Sequence, residues 1–272
     1  MALDIWLAAR LVPGNGAPRY TGQIAGLGPE NDIIWSGIRS HPAAADSRLE
    51  VHSDIPLSRG LGSSAAATLA SLALCDALDG VQRSTQELFR DAAAREGHPD
   101  NAAPCALGGT MLVVNRSGAG PLITPVTPHH SLGVALAVPE RTVETRAARQ
   151  VLPNHVPSAD LIAQASRAAA LVLGLERGDP ELIAAGMDDC YAVPRRADLI
   201  TGYEQALAAA TAAGAFGMTI SGSGSTLIAL TAKERVTDVA SAMAHAVTDA
   251  GNAAIAMTPD ISKNGLVRSQ AR

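Results

Sequence analysis

Aromatic residues are scarce. Two Trp, three Tyr and two Phe make up 3% of the 272 residues, so the core must be built from Ala, Leu, Val and Ile. Charge is sparse as well, at 17% against 47% hydrophobic. That balance excludes a disordered chain, which needs low hydrophobicity and high charge. Positive charge has no excess: 21 Lys plus Arg face 26 Asp plus Glu, a net charge of −5. Such a chain has no overall field to draw in nucleic acid or an anionic membrane. Neither is expected as a partner, and an anionic ligand needs a local site. The three cysteines (Cys75, Cys105, Cys190) lie far apart with no CxxC. This excludes a disulfide framework and argues against zinc, leaving reduced thiols and a cytoplasmic location as the expectation. No run of ~18 apolar residues offers a membrane span. The start, MALDIWLAARLV, has Asp4 early and no basic stretch, so it does not read as a signal peptide.

At about 150 residues per domain, the length suits one large domain or two modest ones. Ala2–Val12 reads as a strand, followed by a turn cluster at Pro13–Gly16. Asn31 is expected to cap a helix over 32–39, and 49–55 to be a strand. The stretch IPLSRGLGSSAAATLASLALCDAL (55–78) begins extended and ends as a long Ala/Leu helix. Ser84 and Glu87 form a capping box for a helix over 85–95, and Pro99 and Pro104 break the pattern after it. Strands are predicted at 109–115, 132–138, 216–220, 227–230 and 253–257. Helices are predicted at 142–151, 158–176 with Ser158 as cap, 179–188, 199–213 and 234–250. Strands and helices mix without strict alternation, which predicts an α+β fold. Pro121–Pro128 is the expected seam, dividing the chain into 1–125 and 126–272.

Three segments carry chemistry. Gly60-Leu61-Gly62-Ser63-Ser64-Ala65 sits between a strand and a helix. Glycines let backbone N–H groups approach an anion, and the helix N-terminus favours it. The Ser hydroxyls can bind a phosphate oxygen or a metal ion. No GK[ST] follows, so this is not a Walker loop; its plain alternative is a glycine turn with a Ser helix cap. Glu96-Gly97-His98-Pro99-Asp100-Asn101 concentrates four functional side chains after a helix. Its carboxylate could complete a Mg²⁺ site with a Ser hydroxyl, since Mg²⁺ takes few protein ligands. Alternatively it is a polar loop of turn formers. Ser221–Ser225 is a small-residue loop, read either as a hairpin turn or as a close backbone approach. Thr145 and Arg149 share a helix face. Arg195 and Arg196 follow Pro194, and Arg suits fork-like recognition of a carboxylate.

In combination, P-x-x-x-GLGSSAA (56–66), EGHPDNAAP (96–104) with LGG (107–109), and SGSGST (221–226) resemble the GHMP kinases: galacto-, homoserine, mevalonate and phosphomevalonate kinase. Within them GHPDNAAP is similar to homoserine kinase. T-x-x-x-R followed by QVLPNHVPSADL (145–161) and MDDCYAVPRRADLITG (187–202) extend the likeness from Ala2 to about Leu230. The resemblance implies an N-terminal half like ribosomal protein S5 domain 2 and a ferredoxin-like C-terminal half. It implies transfer of the ATP γ-phosphoryl group to L-homoserine in threonine biosynthesis. By motif position, Pro56, Ser58, Arg59, Gly60, Leu61, Gly62, Ser63, Ser64 and Ala65 would hold ATP, with Gly222 and Gly224 packed against the loop. Ser64 and Glu96 would bind Mg²⁺. His98, Asp100 and Asn101 would shape the acceptor site, and Thr145, Arg149 and Arg196 would lie on the amino-acid side. A homodimer is common among such relatives.

The resemblance also has departures. The first motif of the superfamily, P-x-S-x-N-L-G-P-G-F-D, has no counterpart, and MALDIWL is similar to the strand just after it. A fold lacking that first strand would expose backbone groups on its neighbour. The chain is therefore expected to melt below a version with the segment restored. Ala192 stands where a His is usual, Arg195 where an aromatic is usual, and Ser225 where a Pro is usual. Arg195 raises the expectation of a more acidic acceptor. Two alternatives stay open at this point: a GHMP kinase with another acceptor, and a nucleotide-binding relative with impaired turnover.

Overall fold

Leu7, Ala9 and Leu11 alternate with more exposed neighbours over β1 (Leu7–Pro13), the period-two signature of a half-buried strand. The alternation runs back to Leu3, but the pairing does not: the ladder begins with Leu7 opposite Ser53, and Leu3 bridges instead to Ile261, so the strand starts later than the expected Ala2. In the computed structural model, which describes residues Met1–Ser269, β1 runs antiparallel to β3 (Ser47–Ser53), with Leu11 opposite Leu49. The short strand β2 (Arg19–Gly22), not anticipated from sequence, pairs parallel to the other side of β3. The order β1-β3-β2 leaves β1 at an edge. Helix α1 (Ile33–Ile38) follows β2. Its cap is Asp32, whose side chain accepts from the Ile34 N–H, and not the expected Asn31, which closes a 3₁₀ turn over Pro29–Asn31.

The chain forms two compact units, one of Met1–Leu57, Gly62–Pro125 and the residues from Ile261 on, the other of Ser58–Leu61 and Val126–Asp260. In the first unit, α2 (Ser63–Asp79) is apolar on almost every side, as a helix buried from both flanks must be. Leu69 and Leu72 pack with Leu88, Phe89 and Ala92 of α3 (Thr85–Glu96) and with Ala102, Ala103 and Ala106 of α4 (Ala102–Leu107). Ala67, Ala70 and Leu74 face the sheet and α1. The Ser84–Glu87 capping box is formed in full. Pro104 does not break the structure. It is the third residue of α4, within the first turn, where its missing N–H would have no partner in the helix anyway. β4 (Thr110–Arg116) and β5 (Ala119–Val126) make a two-stranded sheet. The proline-rich stretch expected to be a bare seam is thus partly strand, with Pro121 and Pro125 tolerated in a two-stranded sheet that has only edges.

The second unit is built on a four-stranded antiparallel sheet, β7 (Ala215–Ile220), β8 (Leu227–Ala232), β6 (Leu132–Pro139), β9 (Ala254–Met257), in that order. All eight residues of β6 are buried, which explains its unbroken apolar run. α5 (Thr145–Gln150), α6 (Ser158–Arg177), α7 (Pro180–Met187), α8 (Val193–Arg196), α9 (Tyr203–Ala212) and α10 (Val236–Asp249) complete it. Met218 and Ile220 of β7 pack with α9 and α10. Gly217, on the opposite face of the strand, accommodates Met187 at the end of α7, where a Cβ would lie 2.9 Å away. Ser158 does not cap α6: Pro157 holds the cap position with no side-chain bond. The helix expected from 199 begins at Tyr203, because Gly202 precedes it with φ +87. Among the described residues no helix is long and apolar enough to cross a membrane.

Candidate active site

In the second unit, the segment Ser58–Leu61 lies against the hairpin turn that joins β7 to β8. Ser221 Oγ donates to the Gly60 carbonyl at 2.8 Å, and the Thr226 N–H donates to the Arg59 carbonyl at 3.1 Å. Gly60 has φ +76, and a Cβ there would stand 2.1 Å from the Ser221 carbonyl oxygen. Gly222 faces the same residue, its own virtual Cβ 3.2 Å from the Gly60 carbonyl oxygen. Two backbones approach closely here, and only glycine permits it. Gly224 meets Ile200 and Ile220. The Arg59 guanidinium donates through Nε to the Pro139 carbonyl at 2.8 Å and through Nη2 to the Glu140 carbonyl at 2.6 Å. Arg59 therefore ties the loop to the end of β6.

The chain continues from Leu61 into Gly62 and α2. Gly62, at φ +75, is the cap residue of α2 and offers no side chain. The alternative of a Ser-capped turn is thereby excluded. Among the described residues no hydrogen bond takes up the N–H groups of Ser63, Ser64 and Ala65. They are the open donors at the start of a 17-residue helix, an arrangement that favours an anion. Pro56 is buried beside the loop, and Ser58 is exposed at φ 56.

In the first two turns of α2, the first unit gathers oxygen ligands. Ser64 Oγ donates to Glu96 Oε1 at 2.8 Å, and Thr68 Oγ1 donates to the same atom at 2.9 Å. Ser64 and Thr68 share a helix face at i, i+4 spacing, and Glu96 ends α3. One carboxylate with hydroxyls is a hard-oxygen set of the kind Mg²⁺ takes, leaving other positions to water and phosphate. These residues fit such an ion. Thr68 was missed from sequence; its spacing from Ser64 was the available signal. In the following loop, His98 Nδ1 lies 2.7 Å from Asp100 Oδ1, which also accepts from the Asn101 N–H at 2.9 Å. Asn101 heads α4, and its side chain makes no cap bond. Asp100 is largely exposed, at 73%.

In the second unit, Thr145 and Arg149 both sit on α5. Thr145 Oγ1 is 3.2 Å from Ser223 Oγ. Arg149 is exposed, and no ion pair or hydrogen bond of its side chain occurs among the described residues. Arg196 of α8 donates through Nε to the Ala148 carbonyl at 2.9 Å and through Nη1 to the Gly222 carbonyl at 3.1 Å. It joins α5, α8 and the glycine turn, with three of its five N–H groups left over. Arg195 points elsewhere: Nη1 donates to the Cys190 and Tyr191 carbonyls, and the guanidinium stands 5.7 Å from the centre of the Tyr191 ring.

Residues 33–109 match the GHMP kinase N-terminal domain, and residues 171–249 the GHMP kinase C-terminal family. The homoserine kinase of Picosynechococcus sp. is 42% identical over 213 residues, 78% of this chain and 70% of that protein. The chain belongs to the homoserine kinase family of GHMP kinases. The homoserine kinase of Synechocystis sp. is 39% identical over 75% of this chain and 66% of its own length. Among solved structures, homoserine kinase from Cytophaga hutchinsonii superposes with a TM-score of 0.78 at 29% identity, covering 95% of this chain and 86% of that one. L. major mevalonate kinase, in complex with R-mevalonate, shares the fold at a TM-score of 0.69 and 16% identity, over 97% of this chain and 89% of its own. The GHMP kinase fold, with its N- and C-terminal parts, is thus the fold of this chain.

Proposed function

We propose that this member of the homoserine kinase family transfers the γ-phosphoryl group of ATP to the side-chain hydroxyl of L-homoserine. The observation that carries the reading is the 42% identity to a homoserine kinase, joined to a helix start with three open N–H groups. The acceptor oxygen forms a bond to the γ-phosphorus as the bond to the β,γ-bridging oxygen breaks. ADP departs and the hydroxyl proton is released. Phosphoryl transfer asks mainly for alignment and charge neutralisation.

The roles combine the motif positions with the groups present. The N–H groups of Ser63, Ser64 and Ala65 bind phosphate oxygens, and Gly60, braced by Ser221, holds the loop in shape. Ser64 and Glu96 would hold Mg²⁺, with Thr68 orienting the carboxylate. When bound, that ion neutralises phosphate charge. Arg149 and the spare N–H groups of Arg196 take the acceptor carboxylate, while His98, Asp100 and Asn101 shape the acceptor side. Asp100 is the carboxylate to test for a role with the hydroxyl proton. Its pairing with His98 and its exposure favour an orienting part over that of a strong base. The placement of Arg195 against backbone carbonyls gives no support to a more acidic acceptor. Separated thiols and ATP as co-substrate suit a cytoplasmic enzyme.

The test is ADP release from MgATP with and without L-homoserine, with the product identified by mass spectrometry as O-phosphohomoserine. Homoserine-dependent release is expected. Release driven by a different alcohol, with homoserine inert, would transfer the reading to another acceptor. ATP binding without any release would leave a nucleotide-binding relative.

A further inference from the structure

Arg196 sits on a helix of only four residues, Val193–Arg196, far too short to hold its own direction. A single carboxylate holds the start of that helix. Asp189 Oδ1 accepts the backbone N–H groups of Tyr191 at 2.8 Å, of Ala192, and of Val193 at 3.0 Å. These donors lead into the first turn of α8, where no helical partner exists. The other oxygen, Oδ2, accepts from Gln164 Nε2 at 3.0 Å. Gln164 Oε1 in turn accepts the Cys190 N–H at 3.1 Å and its Sγ–H at 3.2 Å. One turn along α6, Arg167 pairs with Asp188 at 2.6 Å. A 20-residue helix therefore grips residues 188–190 through two side chains, and Asp189 passes that grip to the start of α8. The far end of α8 is Arg196, bonded to Ala148 and Gly222.

We infer that Asp189, locked by Gln164, is the positioning residue that sets Arg196 for the acceptor carboxylate. This rests on the acceptor-side reading of Arg196 given above. Bidentate capture of a carboxylate is strict about the plane and distance of the guanidinium. A helix free to rotate or fray at residue 193 would lose that strictness, while the phosphate-binding loop would keep its own supports.

The test is steady-state kinetics of the full chain, with both substrates varied, for Arg196→Lys, Asp189→Ala, Asp189→Asn and Gln164→Leu. Asp189→Ala removes every acceptor at once, and loss of a capping residue with its linked contacts should raise the homoserine KM about tenfold with the ATP KM within about twofold. Asp189→Asn retains a carbonyl oxygen for the three N–H groups and should return the homoserine KM to within about threefold of wild type. Gln164→Leu leaves the cap in place, should raise the same KM by about threefold, and carries the test if Asp189→Ala does not fold. The proposal is overturned if Asp189→Ala and Gln164→Leu leave the homoserine KM unchanged while Arg196→Lys raises it. Equal rises in both KM values also overturn it, since they show a general packing role. If Arg196→Lys itself leaves the homoserine KM unchanged, the acceptor-side reading of Arg196 is what has failed.

Discussion

Gly60 and Gly62 have nearly the same backbone angle but different surroundings, and that difference separates two roles. Both have φ near +75, where an L side chain costs roughly 1–2 kcal/mol. At Gly62 nothing lies within 4 Å of an added Cβ, whereas at Gly60 the Ser221 carbonyl oxygen would be 2.1 Å away. Gly60→Ala must push the loop off the hairpin, and the expected loss in kcat/KM for ATP is about 100-fold, equivalent to ~2.7 kcal/mol. Gly62→Ala keeps the loop on the hairpin and should lose at least tenfold less. Equal losses in the two variants would dismiss the hairpin as a brace. A second residue-scale prediction concerns Glu96. Replacing it by Gln keeps the hydrogen bonds from Ser64 and Thr68 but removes the charge that a cation needs. The Mg²⁺ concentration for half-maximal rate should rise by about tenfold or more, with the homoserine KM little changed. An unchanged Mg²⁺ requirement would remove Glu96 from the metal site.

At the scale of elements, the sequence was most readable where one local rule acted alone. The Ser84–Glu87 box, the Ala/Leu helix after Gly62 and the apolar run of β6 were all legible, and all are present. What was missed depends on partners distant in sequence. β2 is four residues long and exists because β3 offers it an edge. α8 exists because Asp189 and Gln164 hold its start. Asn31 and Asp32 are both good capping types, and only the turn over Pro29–Asn31 decides between them. Of the candidate site residues, the glycines were visible as motif letters, but that Gly60 and Ser221 touch across 161 positions was not. The same scale holds a buried ion cluster between α2 and α3. Asp76, with a side chain only 5% exposed, is bonded to Arg83 at 2.6 Å, and Arg83 also pairs with Asp91. Arg83→Ala leaves the Asp76 carboxylate with only the distant Arg268 guanidinium, 3.9 Å away. Breaking a fully buried pair costs about 3–5 kcal/mol. Arg83 is 29% exposed, so solvent screening reduces the expected loss to about 2 kcal/mol. Asp76→Asn in the Arg83→Ala background should recover part of it in a urea melt. A double variant no more stable than Arg83→Ala alone would show that the lost contacts of Arg83, not the weakly paired charge, set the cost.

At the scale of the whole molecule, the first unit is discontinuous: the chain leaves it at Pro125 and returns at Ile261. The returning segment is bound by backbone. Ile261 bridges to Leu3, the Ser262 N–H donates to the Ala2 carbonyl at 3.0 Å, and the Gly109 N–H donates to the Ser262 carbonyl at 2.7 Å. Further on, the Leu266 N–H reaches the Ala106 carbonyl at 2.9 Å, and Arg268 donates to the Arg83 carbonyl at 2.8 Å. Two glycines permit the approach: a Cβ at Gly265 would stand 2.2 Å from the Ala106 carbonyl oxygen, and one at Gly108 2.3 Å from that of Lys263. Ala106 and Gly108 belong to the end of α4, whose start carries Asn101. Removing the chain after Asp260 thus strips one backbone bond from α4, one from Gly109 just before β4, and those to Ala2, Leu3 and Arg83. At about 1 kcal/mol for each net hydrogen bond, the loss is a few kcal/mol. Since about 1 kcal/mol shifts the melting temperature of a chain this size by roughly 2–4 °C, the truncated chain should melt about 10 °C lower. Gly265→Ala, which keeps the segment but blocks its approach, should reproduce much of that shift. A truncated chain that melts with the intact one would show that the return of the chain to the first unit contributes nothing to holding α4 in place.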